Sequence, residues 1–145
     1  MVMPEYVSRE EVKRVCKNLK IRDWTEIDEP SITKKEAEII LKIVNVQGMK
    51  IDVEDFRQAL EVELEHGTRF EDANVTNNHP LLTGKIVLAH MKETLDYYRL
   101  LDVAEFEGDL LKAVKAKDIL KIQNKYKKLC AAKVILNQAT VKQLS

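Results

Sequence analysis

Four side chains with metal-binding donor groups flank a polar segment in the middle of the chain, as Glu63-x-x-His66 and His90-x-x-Glu93. A carboxylate and an imidazole three residues apart lie on one face of a helix, and two such faces can surround a metal pair. The pattern therefore resembles half of a carboxylate-bridged di-iron site, or a single zinc or manganese site. Helical di-iron proteins normally draw carboxylates from four helices, and the sequence contains no second matching set.

The register of the two helices argues against a shared metal. In a simple antiparallel hairpin that places His66 beside Pro80, Glu63 faces Thr83, and His90 lies roughly 10 Å further along the axis. Ligand bonds of about 2 Å cannot span that distance, unless an ordered loop shifts the register by about two turns. We therefore predict that the four side chains tether backbone and that no cofactor is bound. A divalent-metal or iron site, with a metal-dependent activity, is the alternative.

The polar segment 67–79 is a thirteen-residue loop in this interpretation. Loops of that length are uncommon in small domains and are often functional. Thr and Asn side chains bond to backbone groups and make local turns, so we predict an ordered loop folded onto the helices. Its predicted anchors are Thr76, Asn77, Asn78 and Thr83. A small anion at the start of the next helix, near Thr83 and Lys85, is a further alternative.

Capping residues predict where the helices that carry these groups begin. Ser8 and Thr33 each precede a Glu by three residues, which is the capping-box pattern, and Asp52 can cap a third helix. Pro80 suits the first turn of a fourth helix. We predict that Gly48 and Gly67 end the second and third helices, and that a break near Gly108 ends the fourth. The predicted inner stripe of the fourth helix is Leu82, Ile86, Ala89, Glu93, Tyr97 and Leu100.

These elements predict an all-α fold, a compact bundle of about five helices with a long ordered polar loop at about 67–79. We assign residues 1–107 to a helical domain and residues 108–145 to a lysine-rich C-terminal segment, helical from about Asp109 to Asn137. Hydrophobic residues make up 45% and charged residues 33% of the 145 residues, as in soluble helix-rich proteins. Cys16 and Cys130 form no C-x-x-C motif, and we expect both to be buried thiols in an intracellular protein without a membrane partner.

Charge is unevenly spread along a chain whose formal net charge is zero. Residues 108–145 carry nine lysines and two aspartates, a net charge of +7, so the rest of the chain carries −7. Such asymmetry marks either a binding surface for an acidic partner or a solvated helix face. The predicted binding residues are Lys112, Lys115, Lys121, Lys125, Lys127, Lys128 and Lys133. Nucleic-acid binding through the same lysines is the alternative, and it would weaken steeply with salt.

Several strings between about Ile32 and Leu101 resemble an uncharacterised domain family of bacteria, bacteriophages and large DNA viruses. They are VELEHGTR, the TNxxP pattern that ends at Pro80, LTGKI, AH and DYY. The resemblance implies a small helical fold and no assigned activity. Where the family has two acidic residues before this proline, the chain has Asn78 and His79, and His79 is expected to be a poor N-cap. The family also has a proline where this chain has Leu95, which predicts a straighter helix here.

Together these patterns predict a non-enzymatic, intracellular helical module that binds a protein partner or an acidic surface through its C-terminal helix. The resemblance adds that the chain is virus-encoded, and that it acts in the host cytoplasm or the virion.

Overall fold

The computed structural model describes residues 6–145, and within that range it contains six α-helices, two 3₁₀ turns and no strand. The helices are α1 (Arg9–Leu19), α2 (Lys34–Val44), α3 (Val53–Arg69), α4 (Pro80–Glu93), α5 (Tyr97–Lys115) and α6 (Ile119–Leu144). The 3₁₀ turns span Trp24–Glu26 and Glu71–Ala73. The chain divides into two compact units, one that ends at Lys92 and one that begins at Glu93. The all-α prediction is confirmed.

The helix starts lie where the capping residues predicted them. The Ser8 hydroxyl accepts a hydrogen bond from the Glu11 amide at 3.2 Å. Thr33 and Glu36 form the full reciprocal capping box. The Asp52 carboxylate accepts bonds from two amides in the first turn of α3. Each of these caps satisfies backbone donors that have no partner within the helix.

The number of helices differs from the prediction because α4 and α5 are separate. The predicted single helix stops at Glu93, and residues 94–96 form a turn in which the Thr94 hydroxyl accepts a bond from the Asp96 amide at 3.2 Å. The buried Asp96 carboxylate then pairs with Arg99 at 3.0 Å. The prediction that Leu95 straightens this region is wrong, because the bonds made by Thr94 and Asp96 turn the chain without a proline.

Three glycines do not end helices as predicted. Helix α3 continues through Gly67 to Arg69, and α5 runs unbroken through Gly108. Helix α2 ends four residues before Gly48, at Val44. The Asn45 side chain stops it, because its amide bonds both the N–H and the C=O of Met49, at 2.9 and 2.8 Å. A glycine inside a helix costs about 1 kcal/mol, which tertiary packing readily offsets.

The first unit packs α1 to α4 around a core whose largest members include Trp24, Phe56, Ile40, Leu60 and Leu64. Glu36, 4% exposed, lies at the edge of this core. Its carboxylate accepts hydrogen bonds from the Arg22 guanidinium at 2.7 and 3.0 Å and from the Trp24 indole at 3.3 Å. It also accepts the Thr33 amide at 2.9 Å. Burial alone would raise the pKa of Glu36, but these hydrogen bonds outweigh it and lower the pKa to about 2.

The inner face of α4 is not the predicted stripe. Ile86, Ala89 and Glu93 are exposed. The buried residues of this helix are Pro80, Thr83, Gly84, Val87, Leu88 and Met91. Helix α4 is therefore rotated about its axis relative to the prediction. The rotation follows from Gly84, where an added Cβ would lie 2.5 Å from Ile40 Cγ2. Because glycine has no side chain, the face of α4 that carries Gly84 can pack closely against α2. This close packing determines which face of α4 is buried, in spite of the larger apolar side chains on the predicted stripe.

The second unit is an antiparallel hairpin of α5 and α6. Lys125 pairs with Asp109 at 2.6 Å, Lys133 pairs with Glu107 at 3.6 Å, and Gln143 hydrogen-bonds Asp96. The α6 side of the seam has the 3–4 spacing of a coiled coil, with Ile122, Lys125, Leu129, Ala132, Leu136 and Ala139. The lysine-rich helix thus begins ten residues later than predicted, at Ile119.

The two cysteines differ in exposure. Cys16 is buried in the first unit, as predicted, whereas Cys130 on α6 is exposed. The prediction for Cys130 is wrong because this side of α6 faces away from the seam. Among the described residues, no helix is long and apolar enough to cross a membrane.

Candidate functional site

The carboxylate of Glu63 lies between two imidazoles. Its Oε2 is 3.8 Å from Nδ1 of His66, and its Oε1 is 3.7 Å from Nε2 of His90. The side chain of Glu63 is 13% exposed, that of His90 31% and that of His66 61%. Three of the four predicted side chains therefore converge, and the register that placed His90 about 10 Å away is wrong. The fourth, Glu93, is exposed and belongs to the second unit.

The polar loop lies against the end of α3. It folds back on the end of α3, where Asn74 Nδ2 donates to the Gly67 carbonyl at 3.3 Å and to Asn78 Oδ1 at 3.0 Å. A Cβ on Gly67 would lie 2.1 Å from Asn78 Oδ1, so only glycine admits this contact. The loop thus runs along the end of α3, and Thr83 in the first turn of α4 lines one cleft with Glu63 and His66.

Asn77 and Asn78 give the loop its reversal of direction. Both have positive φ, +48° and +60°, in the left-handed region that Asn tolerates better than most residues. Asn77 Nδ2 also donates to the carbonyl of Val7 at 2.5 Å, which ties the loop to the segment before α1. Thr76 bonds within the loop, to Asn74 at 3.4 Å. The predicted anchors Thr76, Asn77 and Asn78 thus bond to the loop itself and to the N-terminal segment, whereas the bond to α3 is made by Asn74, which was not predicted.

His79 caps α4, contrary to the expectation that it would do so poorly. Its Nδ1 accepts hydrogen bonds from the amides of Leu81 and Leu82, at 3.2 and 3.3 Å. The imidazole must be neutral to accept them, and burial lowers the pKa of His79, which favours that form. The Thr83 amide and hydroxyl both donate to the His79 carbonyl at 2.9 Å. These bonds occupy the donors that an anion at this helix start would need.

A cleft of about 120 Å³ opens beside Glu63, lined also by His66, Thr76, Asn78 and Thr83. Each imidazole faces a different oxygen of the same carboxylate, at a distance longer than a hydrogen bond. Over residues 6–145, no group of three or more His, Cys, Asp or Glu side chains is arranged to hold a metal ion. The arrangement fits a tether between α3 and α4.

We predict that His90→Ala lowers the free energy of unfolding by about 1–2 kcal/mol, since it leaves a mostly buried carboxylate with one imidazole fewer. Thermal denaturation at neutral pH, followed by circular dichroism, measures the effect. His66→Ala is the matched control, because His66 faces the same carboxylate but is mostly exposed, and its loss is expected to cost under about 0.5 kcal/mol. Equal melting temperatures for His90→Ala and the unaltered chain contradict a tether.

The predicted basic residues form two groups in the second unit. Lys112, Lys121, Lys125 and Lys133 each lie within 4 Å of a carboxylate. Lys125 is only 29% exposed and lies on the seam, so it holds the hairpin together. Lys115, Lys127 and Lys128 are exposed and have no ion pair within residues 6–145. The second group is available for a partner.

Comparison with known proteins identifies a family and nothing more specific. The family model described as "Protein of unknown function (DUF5661)" matches residues 12–107, about two thirds of the chain. The match begins earlier than Ile32, where the resemblance was predicted to begin, and includes most of α1 and part of α5. No curated protein and no solved structure matches the chain. Helix α6 and all nine lysines of the C-terminal segment lie outside the family match.

Proposed function

The chain belongs to the DUF5661 family, whose function is unknown, and we propose that its C-terminal hairpin binds an acidic protein surface. The supporting observation is the group of exposed lysines that make no ion pair within the described residues. An intracellular site of action, which the sequence predicted, and a viral origin, which the resemblance implied, stay predictions.

The charge of α6 supports binding rather than solvation alone. The helix carries six lysines and no acidic residue. A helix that needed charge only for solubility would intersperse both signs along its exposed face, as most soluble surfaces do. A concentration of one sign instead raises the local potential and speeds encounter with an oppositely charged partner.

Nucleic acid is also negatively charged, so the lysines of α6 would attract it as well. Other features must therefore distinguish the two kinds of partner. Single strands are usually held by several aromatic side chains on which successive bases stack. On α6 the only aromatic residue is Tyr126, which is 59% exposed. One ring does not form a stacking platform, and the apolar residues between the lysines suit a protein surface better.

We predict that Lys115→Glu/Lys127→Glu weakens binding of a fluorescent twenty-residue poly-glutamate probe by about tenfold, because it replaces two attractions with two repulsions. Fluorescence anisotropy at several salt concentrations measures this. The matched control is Lys35→Glu/Lys42→Glu, which makes the same change of net charge at exposed positions on α2. Equal loss in both variants shows that only net charge matters and contradicts the proposed surface. Tighter binding of a DNA duplex than of poly-glutamate favours the nucleic-acid alternative.

Divalent-metal binding at Glu63, with a metal-dependent activity, is a second candidate. One observation favours it, the approach of His66 and His90 to the two oxygens of Glu63, and one opposes it, since no three such side chains among residues 6–145 are arranged to hold a metal ion. Metal analysis of protein purified without a His tag tests it directly. Near-stoichiometric iron, zinc or manganese supports the metal site, whereas metal far below one ion per chain supports the tether.

A further inference from the structure

His79 joins the polar loop to α4 at a point where the backbone is strained. Asn77 and Asn78, directly before it, both have a positive φ, which residues with a side chain seldom adopt. The Asn77 side chain holds this segment in place by donating to the Val7 carbonyl. A strained segment persists only while its surroundings hold it, so the loss of one set of contacts is enough to release it.

The imidazole of His79 can make its contacts in only one protonation state. Its Nδ1 accepts hydrogen bonds from the amides of Leu81 and Leu82. A protonated ring carries a hydrogen on both nitrogens and accepts nothing, so protonation removes both bonds. It also places a positive charge beside the positive end of the helix dipole. Because His79 is only 8% exposed, water cannot replace the lost bonds while the loop stays in place.

Burial of the ring lowers the pKa of His79 and outweighs the charged groups near it. These groups lie on α1, where the Glu11 carboxylate favours the protonated imidazole and the Arg14 guanidinium disfavours it. Glu11 and Arg14 are bonded to each other, with nitrogen–oxygen distances of 2.6 and 2.8 Å, so their fields largely cancel at the ring. The carboxylate therefore does not offset the cost of a buried imidazolium.

We propose that His79 makes the polar loop sensitive to pH, since its neutral imidazole holds the loop closed and its protonation releases the loop from α4 and from the segment before α1. In the closed loop, His79 caps α4 and Asn77 bonds to Val7. A charged ring must leave its buried position to reach water. Because Asn77 and Asn78 directly precede it, this movement takes them out of their left-handed conformations. The proton thus selects between two states of one segment.

The direction of the pH dependence follows from the difference between the two states. The pKa of His79 is lower in the closed loop than the 6.5 of an unperturbed imidazole. The cap therefore contributes its full stabilisation above pH 6.5 and loses it as the pH falls through the lowered pKa. Between these two values, the ratio of closed to open loop should fall by up to about tenfold for each pH unit.

Amide hydrogen exchange of the full ¹⁵N-labelled chain, measured by nuclear magnetic resonance between about pH 7.5 and pH 5, tests the proposal. After correction for the intrinsic effect of pH on exchange, the Leu81 and Leu82 amides should lose protection by up to about tenfold per pH unit below 6.5. The Asn77 side-chain amide should lose protection over the same range. Constant protection at Leu81 and Leu82 overturns the proposal. So does a loss there without a loss at Asn77, because the cap would then open without the loop.

His79→Asn separates this effect from other consequences of acid. Asparagine is a preferred N-cap without a titratable group, so α4 should stay capped and keep its protection throughout the pH range. His66→Asn is the matched control, because the His66 side chain is 61% exposed on α3. The control should lose protection on acidification as the unaltered chain does. An equal loss in His79→Asn and the unaltered chain overturns the proposal.

The titration of the His79 ring provides a test that needs no variant. The carbon-bound ring protons of the three histidines give separate resonances in the spectrum of the unaltered chain. We expect the His79 resonance to titrate with a midpoint below 6.5. A midpoint at or above 6.5 overturns the proposal, because protonation would then leave the closed loop as stable as before or make it more stable.

Discussion

Glu36→Ala is expected to lower the free energy of unfolding of the first unit by about 3–5 kcal/mol, the cost of breaking a buried ion pair. The substitution leaves five donor groups without this acceptor: the Arg22 amide and guanidinium, the Trp24 indole, and the Thr33 amide and hydroxyl. It also removes half of the capping box that starts α2. One carboxylate thus joins the segment before the first 3₁₀ turn to the beginning of α2.

Urea denaturation followed by tryptophan fluorescence measures this loss, because Trp24 is the only tryptophan and is fully buried in the first unit. Glu38→Ala is the control, since Glu38 is exposed on the same helix and its loss should cost under about 0.5 kcal/mol. Similar unfolding midpoints for the Glu36 and Glu38 variants contradict a central role for the buried carboxylate.

The same carboxylate makes the first unit sensitive to acid. The pKa of Glu36 is lowered from 4.5 to about 2 by folding, so its stabilisation is fully present above pH 4.5 and is lost as the pH falls through 2. The shift corresponds to about 3 kcal/mol. In Glu36→Gln this contribution to the pH dependence disappears. The assignment of this pH dependence to Glu36 is contradicted if the free energy of unfolding falls equally in the variant and the unaltered chain between about pH 5 and pH 2.

Gly84→Ala is expected to destabilise the first unit by about 1–3 kcal/mol, the usual cost of adding a methyl group to a filled core. The new Cβ would lie 2.5 Å from Ile40 Cγ2 and 3.4 Å from Val44 Cγ1. Neither neighbour is the end of a long flexible side chain, so α4 must move away from α2. Urea denaturation followed by the fluorescence of Trp24 measures the change.

Gly108→Ala is the matched control for this prediction. Gly108 also lies inside a helix, but an added Cβ there meets nothing within 4 Å. Alanine is the better helix former, so this variant should stabilise the hairpin by about 0.5–1 kcal/mol. Opposite signs are therefore predicted for the same substitution, and circular dichroism follows the hairpin, which contains no tryptophan. A stabilising Gly84→Ala would show that α4 is not held against α2 at this glycine.

Local patterns in the sequence were sufficient to predict the class of the fold and most helix starts. Ser8, Thr33, Asp52 and Pro80 act through contacts within three or four residues, so their role is visible in the sequence itself. Helix ends were predicted poorly, because the glycines at 48, 67 and 108 do not end helices. The side chains of Asn45 and Thr94 end α2 and bend the chain after α4 instead.

The candidate site depends on contacts between residues distant in sequence, and these were only partly predictable. The spacing of Glu63 and His66 showed that they share a helix face. The meeting of Glu63 on α3 with His90 on α4 depends on how the two helices pack, which no spacing within one helix records. The position of Glu36 beside Trp24 likewise has no periodic signal. The sequence indicated only that Glu36 forms a capping box with Thr33, and not that its carboxylate is buried.

The division of roles between the two units is tested most directly by nuclear magnetic resonance of the intact, ¹⁵N-labelled chain. Its amide spectrum is recorded during titration with the twenty-residue poly-glutamate probe. We predict shifts concentrated around Lys115, Lys127 and their neighbours in the hairpin, with residues 63–90 unchanged. Shifts concentrated around Glu63, His66 and the polar loop would contradict the account, because they would place binding at the side chains we assign to holding the fold together.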